Sequence, residues 1–177
     1  MTAARPETSS PAFALDPPAR QGLTARSDAA AVALAEVLVR WSVPALRVTL
    51  GLVFLGFGLL KFFPGASPAE QIVRQTLAAL TFGMVEGTTA VVVTAVIETV
   101  IGLTLLTGRW LKVGLVVLAV ALVGMMSPVV LFPDELFGDG MTLLGQYILK
   151  DVVFIAAAGV VGAVTLGARL TRDRDRA

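Results

Sequence analysis

Residues 88–107, TTAVVVTAVIETVIGLTLLT, form an apolar run with a single carboxylate, Glu98, near its middle. As a helix rising ~1.5 Å per residue, the run reaches ~30 Å, the thickness of a hydrocarbon core. Glu98 would then lie ~14 Å from either face of a bilayer. A carboxylate at that depth is costly unless it is protonated, paired or beside water, which makes it a candidate functional residue. The rest of the composition agrees with a membrane setting. The chain is 56% hydrophobic and only 15% charged, where a soluble domain carries about 25% charged residues.

Three more apolar stretches follow the same pattern, so the predicted fold is all-α: an integral membrane four-helix bundle. Spans are expected at about 42–63, 88–107, 111–132 and 144–166. Residues 1–27 are rich in Pro, Ser, Thr, Ala and Arg and read as a disordered tail. They lack the apolar core of a signal peptide, so no cleavage is expected. Ser27-Asp28 offers an N-cap for a helix over AAAVALAEVLVRW, with Glu36 and Arg40 spaced for mutual support and Trp41 at headgroup level. Pro44 marks the expected junction with the first span. Gly51, Gly56 and Gly58 leave grooves where a neighbouring helix can approach. Between the first two spans, Ser67-Pro68-Ala69-Glu70 reads as a capping box. Beyond it Ile72, Val73, Leu77 and Leu80 share one face of a short amphipathic helix, which Gly83 can stop. That helix either lies on the membrane or packs on the bundle. The Gly108–Lys112 connection is short enough to force the third span antiparallel beside the second. Ser127-Pro128 ends or kinks the third span. Residues 133–144, with Asp134, Glu135 and Asp139, read as a loop, and 169–177 as a charged tail.

Charge sets the expected orientation. Arg5, Arg20, Arg26, Arg40, Arg109, Lys112, Arg169, Arg172, Arg174 and Arg176 all fall on one side of a four-span topology. The positive-inside rule then predicts a multi-pass protein with both termini in the cytoplasm. Fourteen basic residues against thirteen acidic ones leave a net charge of +1, which argues against nucleic acid as a partner. The chain has no Cys and no His. That removes thiol chemistry, disulfides, and thiolate or imidazole ligation of metals and haem. No phosphate loop, dinucleotide fingerprint or metal-ligand spacing is present. GLVFLGFG lies inside a transmembrane run and not between a strand and a helix. The reading favours a component that is not an enzyme on its own, with the expected partners being the lipid bilayer and a membrane protein or a second copy.

The intramembrane polar residues are Arg47, Lys61, Glu98, Tyr147, Lys150 and Asp151. Arg47 lies about one turn inside the first span, within side-chain reach of Glu98. Lys61 closes the far end of that span, where its stem can snorkel outward. Lys150 and Asp151 are adjacent, hence ~100° apart around a helix, while Tyr147 and Asp151 share a face and can bond. Four roles suit such a set. One is a structural network that fixes helix register. Another is a pocket for a quinone or similar amphipathic ligand, with a carboxyl exchanging protons and a lysine bonding a carbonyl. The others are a proton or small-solute path, and a docking subunit whose partner supplies the redox chemistry.

Three segments, GLVFLGFGLLKF, ETVIGLTLLTGRW and GQYILKD, occur in this order on the first, second and fourth spans. Together they resemble the DoxX-like superfamily of small four-span bacterial membrane proteins, over residues 46–161. Within it the nearest resemblance is to the branch typified by a reactive-chlorine-resistance inner-membrane protein. The resemblance implies a four-helix membrane bundle and carries over Lys61, Glu98, Gly102, Lys150 and Asp151. Superfamily members include a subunit of a thiosulfate:quinone oxidoreductase and proteins tied to oxidative-stress tolerance. It therefore implies a small membrane component of a redox or oxidative-stress-tolerance system, with a quinone as the candidate cofactor. A long N-terminal extension sets this chain apart.

Overall fold

The computed structural model describes residues 17–138 and 140–169, with side chains from residue 28 onward. The expectations for residues 1–16, for Asp139 and for 170–177 fall outside the described part. The described residues are helical with no strand: α1 Pro17–Lys61, α2 Glu70–Leu80, α3 Gly87–Thr107, α4 Leu111–Met126, α5 Pro128–Leu131, α6 Pro133–Phe137, α7 Leu143–Leu149 and α8 Asp151–Thr165. Four helical stretches are long and apolar enough to span a membrane: Asp28–Lys61, Gly87–Thr107, Leu111–Leu131 and Leu143–Thr165.

α1 departs from expectation at both its start and its middle. It is already helical at Pro17, so residues 17–27 are not the irregular tail that their composition suggests. Pro17 and Pro18 fall in the first turn, where a missing N–H costs nothing, and Ala, Arg, Gln and Leu then favour helix. The junction expected at Pro44 is absent, because the helix runs straight through it. Up to Leu38 the helix stands as a unit by itself, with Leu34, Val37 and Leu38 exposed. No ion pair joins Glu36 to Arg40 among the described residues; the Arg40 guanidinium lies instead 5.8 Å from the centre of the Trp41 ring.

From Val39 onward the packing is governed by close backbone approach. A Cβ on Gly51 would lie 3.0 Å from Leu106, one on Gly58 2.8 Å from the Thr99 amide nitrogen, and one on Gly102 2.6 Å from the Leu55 amide nitrogen. These pairs advance along α1 as they retreat along α3, so the two helices are antiparallel and touch at the backbone. Gly56 does not take part, since nothing lies within 4 Å of its Cβ position. Gly108, in the left-handed conformation at φ +70, ends α3 and reverses the chain into α4. Thr104 then meets Gly114 across the hairpin. Leu50, Phe54, Ile101, Leu105, Leu118, Leu122 and Ala157 form one core shared by all four spans.

The register also shows where each helix stops. α1 ends opposite the middle of α3, leaving residues 87–94, ~12 Å of helix, beyond its reach. α2 packs against α3 and takes over there, burying Ile72 and Thr76. The amphipathic helix is thus part of the bundle and not a helix lying on its surface. Ser67 does not cap it: its Oγ is buried without a partner, and its carbonyl accepts from the Glu70 N–H that a capping box would need. Glu70 accepts instead from the Gly65 N–H at 2.8 Å and from Arg74. At the other end Phe82 takes a left-handed position at φ 52, and Gly83 follows it at φ 79. The Gly83 N–H bonds the Ala78 carbonyl and the Phe82 N–H the Ala79 carbonyl, closing a Schellman motif.

Two other spans break at a similar level. α4 ends at Met126 and resumes as α5 after Ser127, as Ser127-Pro128 predicts. The fourth span is interrupted at Lys150, between α7 and α8. Measured from the Gly108–Lys112 end, these breaks lie ~16–22 Å into the bundle. The expected loop over 133–144 is partly helical, because α6 buries Leu136 fully and Thr142 caps α7 by accepting from the Gly145 N–H at 3.0 Å. A second core of Ala69, Ile72, Leu136 and Ile148 holds these short helices together. The molecule therefore has a regular half of long helices and a half assembled from short ones.

The glycine contacts make a direct expectation. Gly102→Ala forces α1 and α3 apart and should lower stability by about 1–3 kcal/mol, read as a lower unfolding midpoint in detergent. Gly56→Ala, which meets nothing, should leave the midpoint unchanged or slightly raised.

Candidate functional site

The breaks surround a cavity of about 400 Å³. Phe54, Phe57 and Lys61 reach it from α1, at spacings of three and four that place them on one helical face. Ile72, Val73, Thr76 and Leu77 roof it from α2, and Thr94, Ile97 and Glu98 line it from α3. Tyr147 of α7 and Asp151 and Phe154 of α8 close the opposite wall, again at spacings of four and three. Two aromatic pairs bridge the spans. The Phe54 and Phe154 ring centres are 5.7 Å apart and tilted, and those of Phe57 and Tyr147 are 6.1 Å apart, edge to face.

The main polar contact is between Lys61 and Glu98. The Lys61 Nζ donates to Glu98 Oε2 at 2.6 Å, with both side chains almost fully buried. Lys61 therefore does not snorkel outward. α1 ends opposite the middle of α3, and the Glu98 carboxylate supplies the countercharge that water would otherwise provide. Arg47 lies elsewhere. Its guanidinium packs beside Gly108 at the C-terminal end of α3, ten residues or ~15 Å of helix from Glu98, so the Arg47–Glu98 pair is not made.

Lys150 and Asp151 diverge as adjacent helical residues must. The Lys150 Nζ sits 3.4 Å from the centre of the Tyr147 ring and 5.0 Å from that of Phe57, so it caps the aromatic wall. Asp151 is 6% exposed and lines the cavity. Among the described residues it has no ion-pair or hydrogen-bond partner, and the bond expected from Tyr147 is not formed. Of the six candidates, the structure brings Lys61, Glu98, Tyr147 and Asp151 to one cavity and Lys150 to its rim, and leaves Arg47 out. Phe54, Phe57, Phe154 and the α2 roof escaped the sequence reading. The pattern Phe54–Phe57–Lys61 and its counterpart Tyr147–Asp151–Phe154 were the available signals. No group of acidic residues able to hold a metal occurs among the described residues.

Residues 42–132 match the DoxX family model, just over half of the 177-residue chain. The chain belongs to the DoxX family. No curated protein and no solved structure matches it. The DoxX match takes in Lys61 and Glu98 but stops short of Tyr147, Lys150 and Asp151. It thus spans the half of the cavity that carries the ion pair, in a multi-pass, all-helical membrane protein.

Removing one member of the pair strands the other. Lys61→Met should cost about 3–5 kcal/mol, and the double variant Lys61→Met/Glu98→Gln should regain most of that. Reversible chemical unfolding in detergent measures both. A double variant no better than the single one would show that the pair itself contributes little.

Proposed function

We propose that this DoxX-family protein is a small membrane component of a redox or oxidative-stress-tolerance system, and that it binds a quinone-like ligand between its first, second and fourth spans. The observation that carries this reading is the cavity. Its volume of about 400 Å³ falls in the range of small-molecule sites, which are mainly apolar with few convergent polar groups. Phe54, Phe57 and Phe154 supply flat apolar walls, while Lys61, Tyr147 and Asp151 supply polar atoms at one side. Lys61 uses one of three ammonium protons on Glu98, which leaves two for a ligand oxygen. A bound quinone would supply the electron-accepting chemistry that this chain, without Cys or His, has no side chain to perform. The chain's part is to admit the ring, exclude water and place polar atoms beside the ring oxygens. Broken helices around a cavity at membrane depth are also how other membrane proteins tolerate non-helical backbone, which survives there only when buried or facing a cavity.

The second reading is an accessory subunit with no substrate of its own, and the Lys61–Glu98 pair favours it. The pair is nearly fully buried and ties α1 to α3, as a purely structural contact would. Both readings share one placement: a bacterial cytoplasmic membrane with both termini inside. The cationic Gly108–Lys112 turn and Arg169 support that orientation. The likeness to the reactive-chlorine-resistance branch is part of the same proposal.

Two measurements decide these points. Uptake of a short-tailed benzoquinone by the detergent-purified protein should saturate at one per chain. Thr76→Trp, which fills the roof of the cavity, should weaken it at least about tenfold, or ~1.4 kcal/mol. Absence of uptake by the natural protein leaves the accessory reading. For topology, the Cys-free chain suits single-cysteine labelling. An impermeant maleimide should label Met84→Cys in intact cells and leave Arg109→Cys unlabelled; the reverse pattern would invert the orientation.

A further inference from the structure

The polar groups around the cavity are not all paired, and the unpaired one specifies the ligand's chemistry further. Lys61 and Glu98 neutralise one another at 2.6 Å. Asp151, almost completely buried, has no partner among the described residues, although an unpaired polar group in such surroundings is costly. Its sequence neighbour Lys150 is the nearest candidate by chain position, yet that ammonium rests on the Tyr147 and Phe57 rings. The cavity therefore presents an acceptor that no protein donor satisfies.

Two kinds of ligand could supply the missing donor. A lipophilic cation would meet Asp151, but the aromatic faces it needs for itself already carry the Lys150 ammonium. Like charges at such range in a medium of low dielectric are strongly unfavourable. A neutral hydroxyl meets no such opposition. Its proton suits the Asp151 carboxylate, and its oxygen lone pairs suit the free protons of Lys61. A carbonyl oxygen accepts only, and leaves Asp151 as it was.

We infer that the cavity selects neutral hydroxyl-bearing rings, the phenol and hydroquinone class, over the corresponding quinones and ethers, with Asp151 accepting the hydroxyl's hydrogen bond. This rests on the reading of the cavity as a ligand site and adds which form of the ligand it holds. The ring packs against Phe54 and Phe154, a tilted aromatic pair that lines the cavity.

The test compares four probes on the detergent-purified full chain under anaerobic conditions: an alkylphenol, its methyl ether, a short-tailed benzoquinol and the matching benzoquinone. The phenol should bind at least about tenfold tighter than its ether, and the quinol than its quinone, as loss of a hydrogen bond to a charged group implies. In Asp151→Asn both ratios should collapse toward one. Equal affinities within each pair, or unchanged ratios in Asp151→Asn, would overturn the inference while leaving the cavity a ligand site. Tighter binding of the quinone, as a protonated Asp151 donating to a carbonyl would give, also overturns it. If none of the four binds, the ligand reading itself fails and the inference with it. The phenol–ether comparison on the natural chain decides the matter even if Asp151→Asn does not fold.

Discussion

A charge cannot be left alone in the middle of a membrane, and the structure follows from how this chain meets that constraint. Glu98 sits near the centre of an apolar helix, where an unpaired carboxylate is among the costliest groups a bilayer can contain. The countercharge comes from Lys61, which must reach the same depth. α1 therefore ends opposite the middle of α3, and its last residue turns inward. Once α1 stops there, the remaining part of α3 needs another neighbour. α2 fills that role, which explains why the first connection is a packed helix and not a surface loop.

The same arrangement accounts for the cavity. Long helices pack closely where glycines admit backbone contact, at Gly51, Gly58 and Gly102, and where Gly114 admits the Thr104 side chain. Without a hydrophobic drive between helices in lipid, such close fitting is what holds them together. Where α1 stops, α4 breaks at Ser127 and the fourth span breaks at Lys150, the helices no longer fit as continuous rods. Short helices cannot fill space as completely as aligned long ones, and the residual space falls among Phe54, Phe57, Glu98, Tyr147 and Asp151. The ion pair, the breaks and the cavity thus belong to one design.

Much of the fold was legible in the sequence, because apolar length and the positions of Pro and Gly act locally. The four spans, the α3–α4 hairpin and the break at Ser127-Pro128 all rest on such local signals. The site was legible in part. Residue types at membrane depth marked Lys61, Glu98, Tyr147 and Asp151, but depth alone could not choose between Arg47 and Lys61 as the partner of Glu98. That choice depends on where α1 ends relative to α3, which glycine contacts about 40–55 residues apart in sequence determine. The capping box failed for a similar reason, since the Ser67 carbonyl takes the Glu70 N–H before the side chain can. The aromatic walls were missed because Phe in a transmembrane run is unremarkable until its spacing to a charged residue is considered.

The separation of Lys61 and Glu98 along the chain has a consequence for biosynthesis. The two residues are 37 positions apart, and at ~5–20 residues per second the ribosome delivers the lysine about 2–7 s before its carboxylate. During that interval the end of α1 carries an ammonium with no counterion, which opposes its release into lipid. α3 has the mirror-image difficulty until α1 is beside it. The two helices are thus obliged to leave the insertion machinery as a pair, and the contact that stabilises the finished bundle also sets the order in which its parts enter the membrane.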